Sequence, residues 1–322
     1  MSPIYALFFS IVACVFWAFI VVVPSRARWK RDLRRINALV DSSFWQRASE
    51  HVNTYYALTT FRDYKILAYL TGRDAMHTEL TGKQPIEYVG DIARRDDRVL
   101  ELGCGKGSNL VTLDAYNQNL FLFGEDNSMP HVIASRATLG GRAQIDARDF
   151  CTTTKEKFDV IFSIEALSHI GSRVRVKTLC ERISKQLTAD GVFIIVDGFK
   201  ADHFSRFDSE IRQAIHVIER GFCCSELHSV DTWRQEAAYA GLEMVEHHDL
   251  THEATPYWTR GWRFARFIAQ FSWVIRWYQS REPQSRTETL ANLMSVCAVA
   301  PALRMGVAKY AMLVFTSSKI YH

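Results

Sequence analysis

The apolar positions of this chain fall into two regimes. Residues 4–23 run without a charged side chain and with one serine, Ser10, the length and uniformity of a helix that crosses a hydrocarbon core. From about residue 91 the apolar residues come in short β-branched or aromatic runs separated by amphipathic stretches. Residues 98–102, 120–124, 143–146, 158–163, 191–197, 242–249 and 310–316 read as strands. Residues 173–187 and 231–240 read as helices between them, the second with Asp231 as N-cap and Gly241 as its stop. Strands alternating with helices give an α/β fold, a mostly parallel sheet covered on both faces.

Pro24 closes the apolar run, and behind it stand Arg26, Arg28, Lys30, Arg31, Arg34 and Arg35 against the single acid Asp32. A cleaved leader carries positive charge ahead of its apolar core and a small-residue cleavage site after it, the reverse of this arrangement. Apolar-then-basic predicts a single-pass transmembrane anchor over 1–25 with the bulk of the chain cytosolic, in the endoplasmic reticulum or a bacterial inner membrane. The cluster also accounts for the net charge of +4: it carries +5, so the remainder is near −1 and offers no basic field for nucleic acid. Its bases suit anionic headgroups, which makes membrane lipids an expected partner. Residues 26–90 follow as a basic linker and helical cap, 91–250 as the core, 251–306 as an aromatic and basic insertion, and 307–322 as the final strand. The seven cysteines show neither metal-ligand spacing nor a disulfide framework, so no metal is expected. Adjacent Cys223 and Cys224 read as buried small apolar residues.

The strand at 98–102 carries Glu101 and runs into Gly103, Gly105 and Gly107. That pattern turns a strand tightly into a helix and leaves the backbone bare enough for a ligand to lie against it. A dinucleotide cradle wants its third glycine at 108, where Ser108 stands. Ligands of such sheets bind outside the carboxyl ends of the strands. The polar residues there are Glu125, Asp126 and Asn127 after the second strand, Asp146 after the third, and Glu165 and His169 after the fourth. Glu165 and His169 stand four apart where a strand turns into a helix, so both can point into one pocket.

Glu101-x-Gly103-x-Gly105-x-Gly107 resembles the first motif of class I S-adenosylmethionine (SAM)-dependent methyltransferases, a Rossmann-like fold with an antiparallel last strand. Phe158, Asp159, Ile164, Glu165, Ala166 and His169 resemble the corresponding segment of sterol C24-methyltransferases and related tocopherol and cyclopropane-lipid methylating enzymes. Leu167 and Ser168 stand where sterol enzymes often carry Thr and Cys. The resemblance covers roughly 50–260 and the final strand, including Tyr55-Tyr56, Tyr64 and Met76-His77 upstream and Asp249-Leu250 and Pro256-Tyr257-Trp258 downstream. It implies SAM as cofactor. Glu101 would reach its ammonium or ribose edge, Gly103 and Gly105 would cradle it, and Asp126, or Glu125 in its place, would accept both ribose hydroxyls. Asn127 would flank the adenine or ribose, Asp146 would accept from the adenine amine, and the Ala147 N–H would donate to the ring. The resemblance also implies a lipophilic substrate among Tyr55, Tyr56, His77 and Trp258. Glu165 would stabilise positive charge on it, and His169 would orient Glu165 or take the proton. The alternative is that Glu165 and His169 only hold SAM and the loop.

The insertion holds Trp258, Trp262, Trp273 and Trp277, half of all the tryptophans, interleaved with Arg260, Arg263, Arg266 and Arg276. Its aromatic stripe fits a lid helix packed on the domain or a helix lying in the headgroup layer. These expectations converge on a membrane-anchored SAM-dependent methyltransferase of a lipophilic, isoprenoid, sterol-like or prenylated substrate, with transfer to carbon. N- or O-methylation of a lipid headgroup or small polar molecule, and SAM binding without catalysis, are the alternatives.

Overall fold

Near-continuous apolar strands are stable only when both faces are covered, and the central strands here are buried in that way. The computed structural model describes residues 30–31, 84–269 and 295–318. The expected anchor at 4–23, most of the linker, and Tyr55, Tyr56 and His77 lie outside the described residues. Helix α1 (Pro85–Ile92) leads into β1 (Arg98–Leu102), α2 (Ser108–Tyr116), β2 (Phe121–Asp126), α3 (Met129–Leu139) and β3 (Ala143–Ala147). Then come β4 (Phe158–Ile164), a single 3₁₀ turn (Leu167–His169), α4 (Arg173–Gln186), β5 (Leu187–Lys200), α5 (Ser209–Gly221), α6 (Val230–Tyr239), β6 (Leu242–Asp249) and α7 (Thr251–Ala269). Residues 295–304 are helical (α8), and β7 (Ala308–Ser317) ends the fold.

The seven strands form one sheet in the order β3-β2-β1-β4-β5-β7-β6. Neighbouring strands run parallel except β7, which is antiparallel to both β5 and β6. Alternation along each strand sends side chains to two separate cores. Val99, Val160, Phe162, Ile194, Val196, Met312 and Val314 meet α1, α2, α3, α5, α7 and α8. Leu100, Leu102, Phe193, Ile195, Leu313 and Phe315 meet α4 and α6 on the opposite face. The expected α/β architecture with an antiparallel last strand is what the chain adopts.

The boundaries moved in a few places, each for a local reason. Strand β5 begins at Leu187 rather than 191, because Leu187 pairs with Phe158 across an irregularity in β4. The N-cap of α6 is Ser229, whose hydroxyl accepts from Thr232 N at 3.2 Å, and Asp231 pairs with Arg234 instead. Both ends of the expected insertion pack on the domain. Trp262 of α7 is fully buried, and Val296, Cys297, Ala298, Ala300 and Ala302 line the core from α8. Residues 270–294 lie outside the described residues. No helix among the described residues is long and apolar enough to cross a membrane. Lys30, of the basic cluster, lies 3.2 Å from Glu210 and 3.5 Å from Asp208 at the start of α5.

Candidate active site

Glycines at 103, 105 and 107 are needed because the turn from β1 to α2 is left-handed at all three, with φ of 74°, 53° and 81°. The turn closes over β2: Gly103 N and Cys104 N both donate to the Glu125 carbonyl, at 2.8 and 3.0 Å. A side chain on Gly103 would collide with Ala166, and one on Gly107 would meet Ser135 and Leu139 of α3. At Gly105 it would meet nothing within 4 Å. The bare backbone at 105 therefore faces open space.

Two acids border that space. Asp126, at the end of β2, accepts from Gly105 N at 2.9 Å through Oδ2 and from Ser128 N at 2.8 Å through Oδ1, with His131 Nδ1 3.6 Å away. Glu101 is 1% exposed. Its Oε1 accepts from Asn109 at 2.7 Å, while Oε2 has no hydrogen-bond partner among the described residues. Burial pushes the Glu101 carboxyl up to about 8, partly offset by Asn109 and reinforced by the charge of Asp126. A buried, unpartnered carboxylate oxygen beside an uncovered glycine backbone is what a ligand carrying both a nucleoside and an ammonium satisfies. These residues fit SAM. Asn127 is exposed at the strand end beside them.

The remaining strand-end acids point elsewhere. Glu125 is out of phase with Asp126, so it faces the α4 side, where Arg182 lies at 2.6 Å and Arg148 at 3.2 Å. It is committed to a buried ion pair, which leaves Asp126 as the acid on the glycine side. Asp146 is the register partner of Glu125, and Ala147 that of Asp126. Asp146 therefore shares Glu125's face, 3.2 Å from Arg148 and 3.1 Å from Gln144. The structure brings Ala147 to Asp126 and does not bring Asp146 there. The motif at 145–150 continues past Arg148 to Asp149 and Phe150, to which the sequence pattern alone gives no role. The Phe150 ring stands 3.4 Å from where a β-carbon on Gly103 would be. An acid and an aromatic within three residues of the strand end were the available signal.

After β4 the chain makes a turn fixed from several sides. Glu165 adopts φ 52°, an uncommon conformation for a non-glycine residue. Its N–H donates to Val196 O at 2.8 Å, and its Oε1 accepts from the Tyr310 hydroxyl of β7 at 2.7 Å. Ser168 N donates to Asp197 Oδ2 at 2.8 Å, Arg175 Nε to the Ile170 carbonyl at 2.7 Å, and His228 Nε2 to the Gly171 carbonyl at 2.6 Å. Burial raises the Asp197 carboxyl to about 6 even though N–H groups of Gly198, Ser168 and Leu167 favour its ionised form. The His169 ring lies against Cys224, with Sγ 3.7 Å from Nδ1. Burial pushes this imidazole down to about 4, so it is neutral at pH 7. Cys224 is buried as the sequence suggested, whereas Cys223 is half-buried with φ 57°.

Trp258 is half-buried on α7, edge-on to Phe222 at 6.1 Å between centroids and to Tyr257 at 5.2 Å. Phe222 immediately precedes Cys223 and Cys224, so Trp258 connects through them to His169. Tyr310, a strand residue by its sequence pattern, donates its hydroxyl to Glu165 from β7. Its carbonyl accepts from Leu250 N at 2.8 Å, and its N–H donates to Thr251 Oγ1 at 3.1 Å, so the same residue fixes the start of α7. Among the described residues no group of three His, Cys, Asp or Glu could hold a metal ion.

A family model described as a methyltransferase domain matches residues 76–247. The 24-methylenesterol C-methyltransferase 2 of Oryza sativa subsp. japonica is 23% identical over 256 residues, covering 76% of this chain and 67% of that protein. The sterol 24-C-methyltransferase of Eremothecium gossypii is 23% identical over 217 residues, covering 64% of this chain and 57% of that protein. The chain thus spans between 57% and 67% of the length of these two relatives. Among solved structures, a geranyl diphosphate C-methyltransferase from Streptomyces coelicolor A3(2) superposes with a TM-score of 0.60 at 13% identity, covering 83% of this chain and 97% of that one. That structure holds Mg2+, geranyl-S-thiolodiphosphate and S-adenosyl-L-homocysteine. At this identity the likeness is one of fold.

Proposed function

The chain belongs to the methyltransferase-domain family and is a SAM-dependent methyltransferase, and from that premise we propose that it methylates carbon in a lipophilic, isoprenoid or sterol-like acceptor. The observations that carry this reading are the Tyr310 hydroxyl on Glu165 at one end of the turn after β4, and neutral His169 against Cys224 at the other, with Phe222 packed edge-on to Trp258 beside it. A carboxylate set among aromatic and apolar groups suits an acceptor that becomes a cation when methylated. The two sterol methyltransferases at 23% identity support the same reading.

SAM, when bound, supplies an electrophilic methyl group on a sulfonium. Glu101, Gly103, Gly105, Asp126, Asn127 and the Ala147 N–H would hold it, with the Phe150 ring along the adenine side. Asp146, committed to Arg148, is not included. The acceptor's double bond would provide the electron pair for the new carbon–carbon bond while the methyl–sulfur bond breaks with its pair kept by sulfur, giving S-adenosylhomocysteine and positive charge on the neighbouring carbon of the acceptor. Glu165, fixed by Tyr310, stabilises that charge and takes the proton whose loss restores the double bond. His169 is a weak base when its imidazole is held near 4, so its part is to shape and orient this turn. The chain's main contributions are alignment of the reacting atoms and exclusion of water.

Residues 4–23 and the basic cluster behind them support a single-pass anchor with the catalytic domain on the cytosolic side, close to a bilayer-dissolved acceptor. Tyr55, Tyr56 and His77 are assigned to the acceptor cap on the resemblance alone. The test is mass spectrometry of lipids from cells with and without the chain. A neutral isoprenoid or sterol heavier by one methylene should appear only when the chain is present. A change confined to phospholipids would replace this acceptor with a headgroup.

A further inference from the structure

Helix α4 begins just past the acceptor turn and carries two arginines that reach the loop after β3. Arg182 is fully buried, donating to the Phe150 carbonyl at 2.8 Å and to Glu125 at 2.6 Å. Arg175 reaches the same loop and the turn as well. Its Nη2 lies 2.8 and 2.6 Å from the two carboxylate oxygens of Asp149, while its Nε donates to the Ile170 carbonyl at 2.7 Å. Asp149 precedes Phe150, which stands against the glycine turn, and Ile170 follows His169. One guanidinium thus spans the two halves of the site.

We propose that Arg175 is a positioning residue that couples the cofactor wall to the acceptor turn, so that filling the first sets the orientation of His169 in the second. The proposal rests on the reading above of which wall holds which ligand. Exposure supports a geometric role over a stabilising one. The Arg175 and Asp149 side chains are 41% and 40% exposed, and such pairs contribute roughly 0–1 kcal/mol to stability. Their arrangement is nevertheless well defined. Burial works against ionisation of Asp149, but the Cys151 N–H and Arg175 outweigh it and hold the carboxyl below its ordinary value. A planar guanidinium presents Nε and Nη2 in fixed relation, so it can hold a carbonyl and a carboxylate at once. A lysine ammonium on a flexible stem cannot reproduce that fork. Asp197 and His228 also pin the turn, but from β5 and from the segment before α6. The contact of Gly103 with Ala166 joins the two halves through packing, and a change at Arg175 leaves it in place.

The experiment uses the full chain with 15N-labelled histidine and follows the His169 ring signals, identified by their loss in H169N, as S-adenosylhomocysteine is added to saturation. In the wild type, the ligand should displace these signals. R175K and D149N, which cut the bridge from opposite ends, should each reduce the displacement by about half or more, with ligand affinity changed less than about threefold. R173K is the control, since Arg173 pairs with Glu236 of α6, away from this loop; it should behave as wild type. A displacement of wild-type size in both R175K and D149N would overturn the coupling. So would the absence of any displacement in a wild type that binds the ligand. Failure of the wild type to bind at all would overturn the underlying cofactor assignment together with the coupling.

Discussion

Tyr310 donates its hydroxyl to Glu165 Oε1 at 2.7 Å across 145 residues of sequence. Two residues that sequence reading treats as unrelated, a strand-end acid and an aromatic in the last strand, are therefore one hydrogen-bonded unit. Y310F should lower kcat about tenfold and leave S-adenosylhomocysteine affinity unchanged, because one hydrogen bond to a carboxylate is lost and the cofactor wall is untouched. E165Q should lower kcat at least about a hundredfold, the usual contribution of a positioned acid or base. Transfer of labelled methyl into lipid extracts, paired with calorimetric binding, checks both. Equal losses of affinity and turnover would place the pair in the cofactor site instead.

Two of the turn glycines, Gly105 and Gly107, should separate by phenotype. G105A meets no neighbour, so its cost is a left-handed residue, about 1–2 kcal/mol. Its β-carbon would nevertheless occupy the space assigned to the ligand, and S-adenosylhomocysteine binding should weaken by about tenfold or more. G107A would bring its methyl to 2.9 Å from Leu139 Cδ1 and still closer to Ser135 Oγ, so it should melt well below G105A. Thermal denaturation beside ligand titration distinguishes them. A G105A chain that binds normally would remove the ligand from that backbone.

Glu101 gives the cofactor site a proton signature. With its carboxyl near 8, the ligand-free protein holds the proton at pH 7, and an ammonium docked on Oε2 favours the carboxylate. Binding of S-adenosylhomocysteine at pH 7 should release about one proton, read as heats that vary with buffer ionisation enthalpy. E101Q should release none from this position. The same group acts on folding. Its pKa is raised from 4.5 to about 8, so the fold favours the uncharged form and stability falls as pH rises through that window. E101Q should gain thermal stability relative to wild type between those values.

His169 acts in the opposite window. Its folded value near 4 lies below the ordinary 6.5, so the fold favours neutral imidazole and stability is lost as pH falls from 6.5 toward 4. Urea unfolding at pH 7 and pH 4.5 should show a smaller acid-side loss in H169N than in wild type. Parallel losses would mean that the ring is accessible to protons in the folded protein.

Much of the sheet was legible because two-sided burial writes itself as apolar runs. Strand β1 came out end to end on that ground, and the edge strand at 242–249 did too although only Leu242 in it is buried. The extension of β5 back to Leu187 did not, since Ala189, Asp190 and Gly191 argue against a strand and the extension depends on pairing with β4. Asp146 was assigned by its place at a strand end, without its phase. Counting by twos from Ile145, whose Cδ1 approaches Gly124, puts Asp146 on the face away from the glycine turn. Arg182 could not be foreseen: a basic residue in a helix reads as solvated, and its buried partner Glu125 lies 57 residues earlier. Tyr310 was hidden for the same reason, because a hydroxyl partner across the sheet leaves no local trace.

The most direct test of the central claim is incubation of membranes containing the chain with methyl-labelled SAM, followed by separation of neutral lipids from phospholipids. Label should enter a neutral isoprenoid or sterol-like species, and E165Q should cut its rate of entry at least about a hundredfold. Label found only in phospholipid headgroups, or undiminished in E165Q, would contradict it.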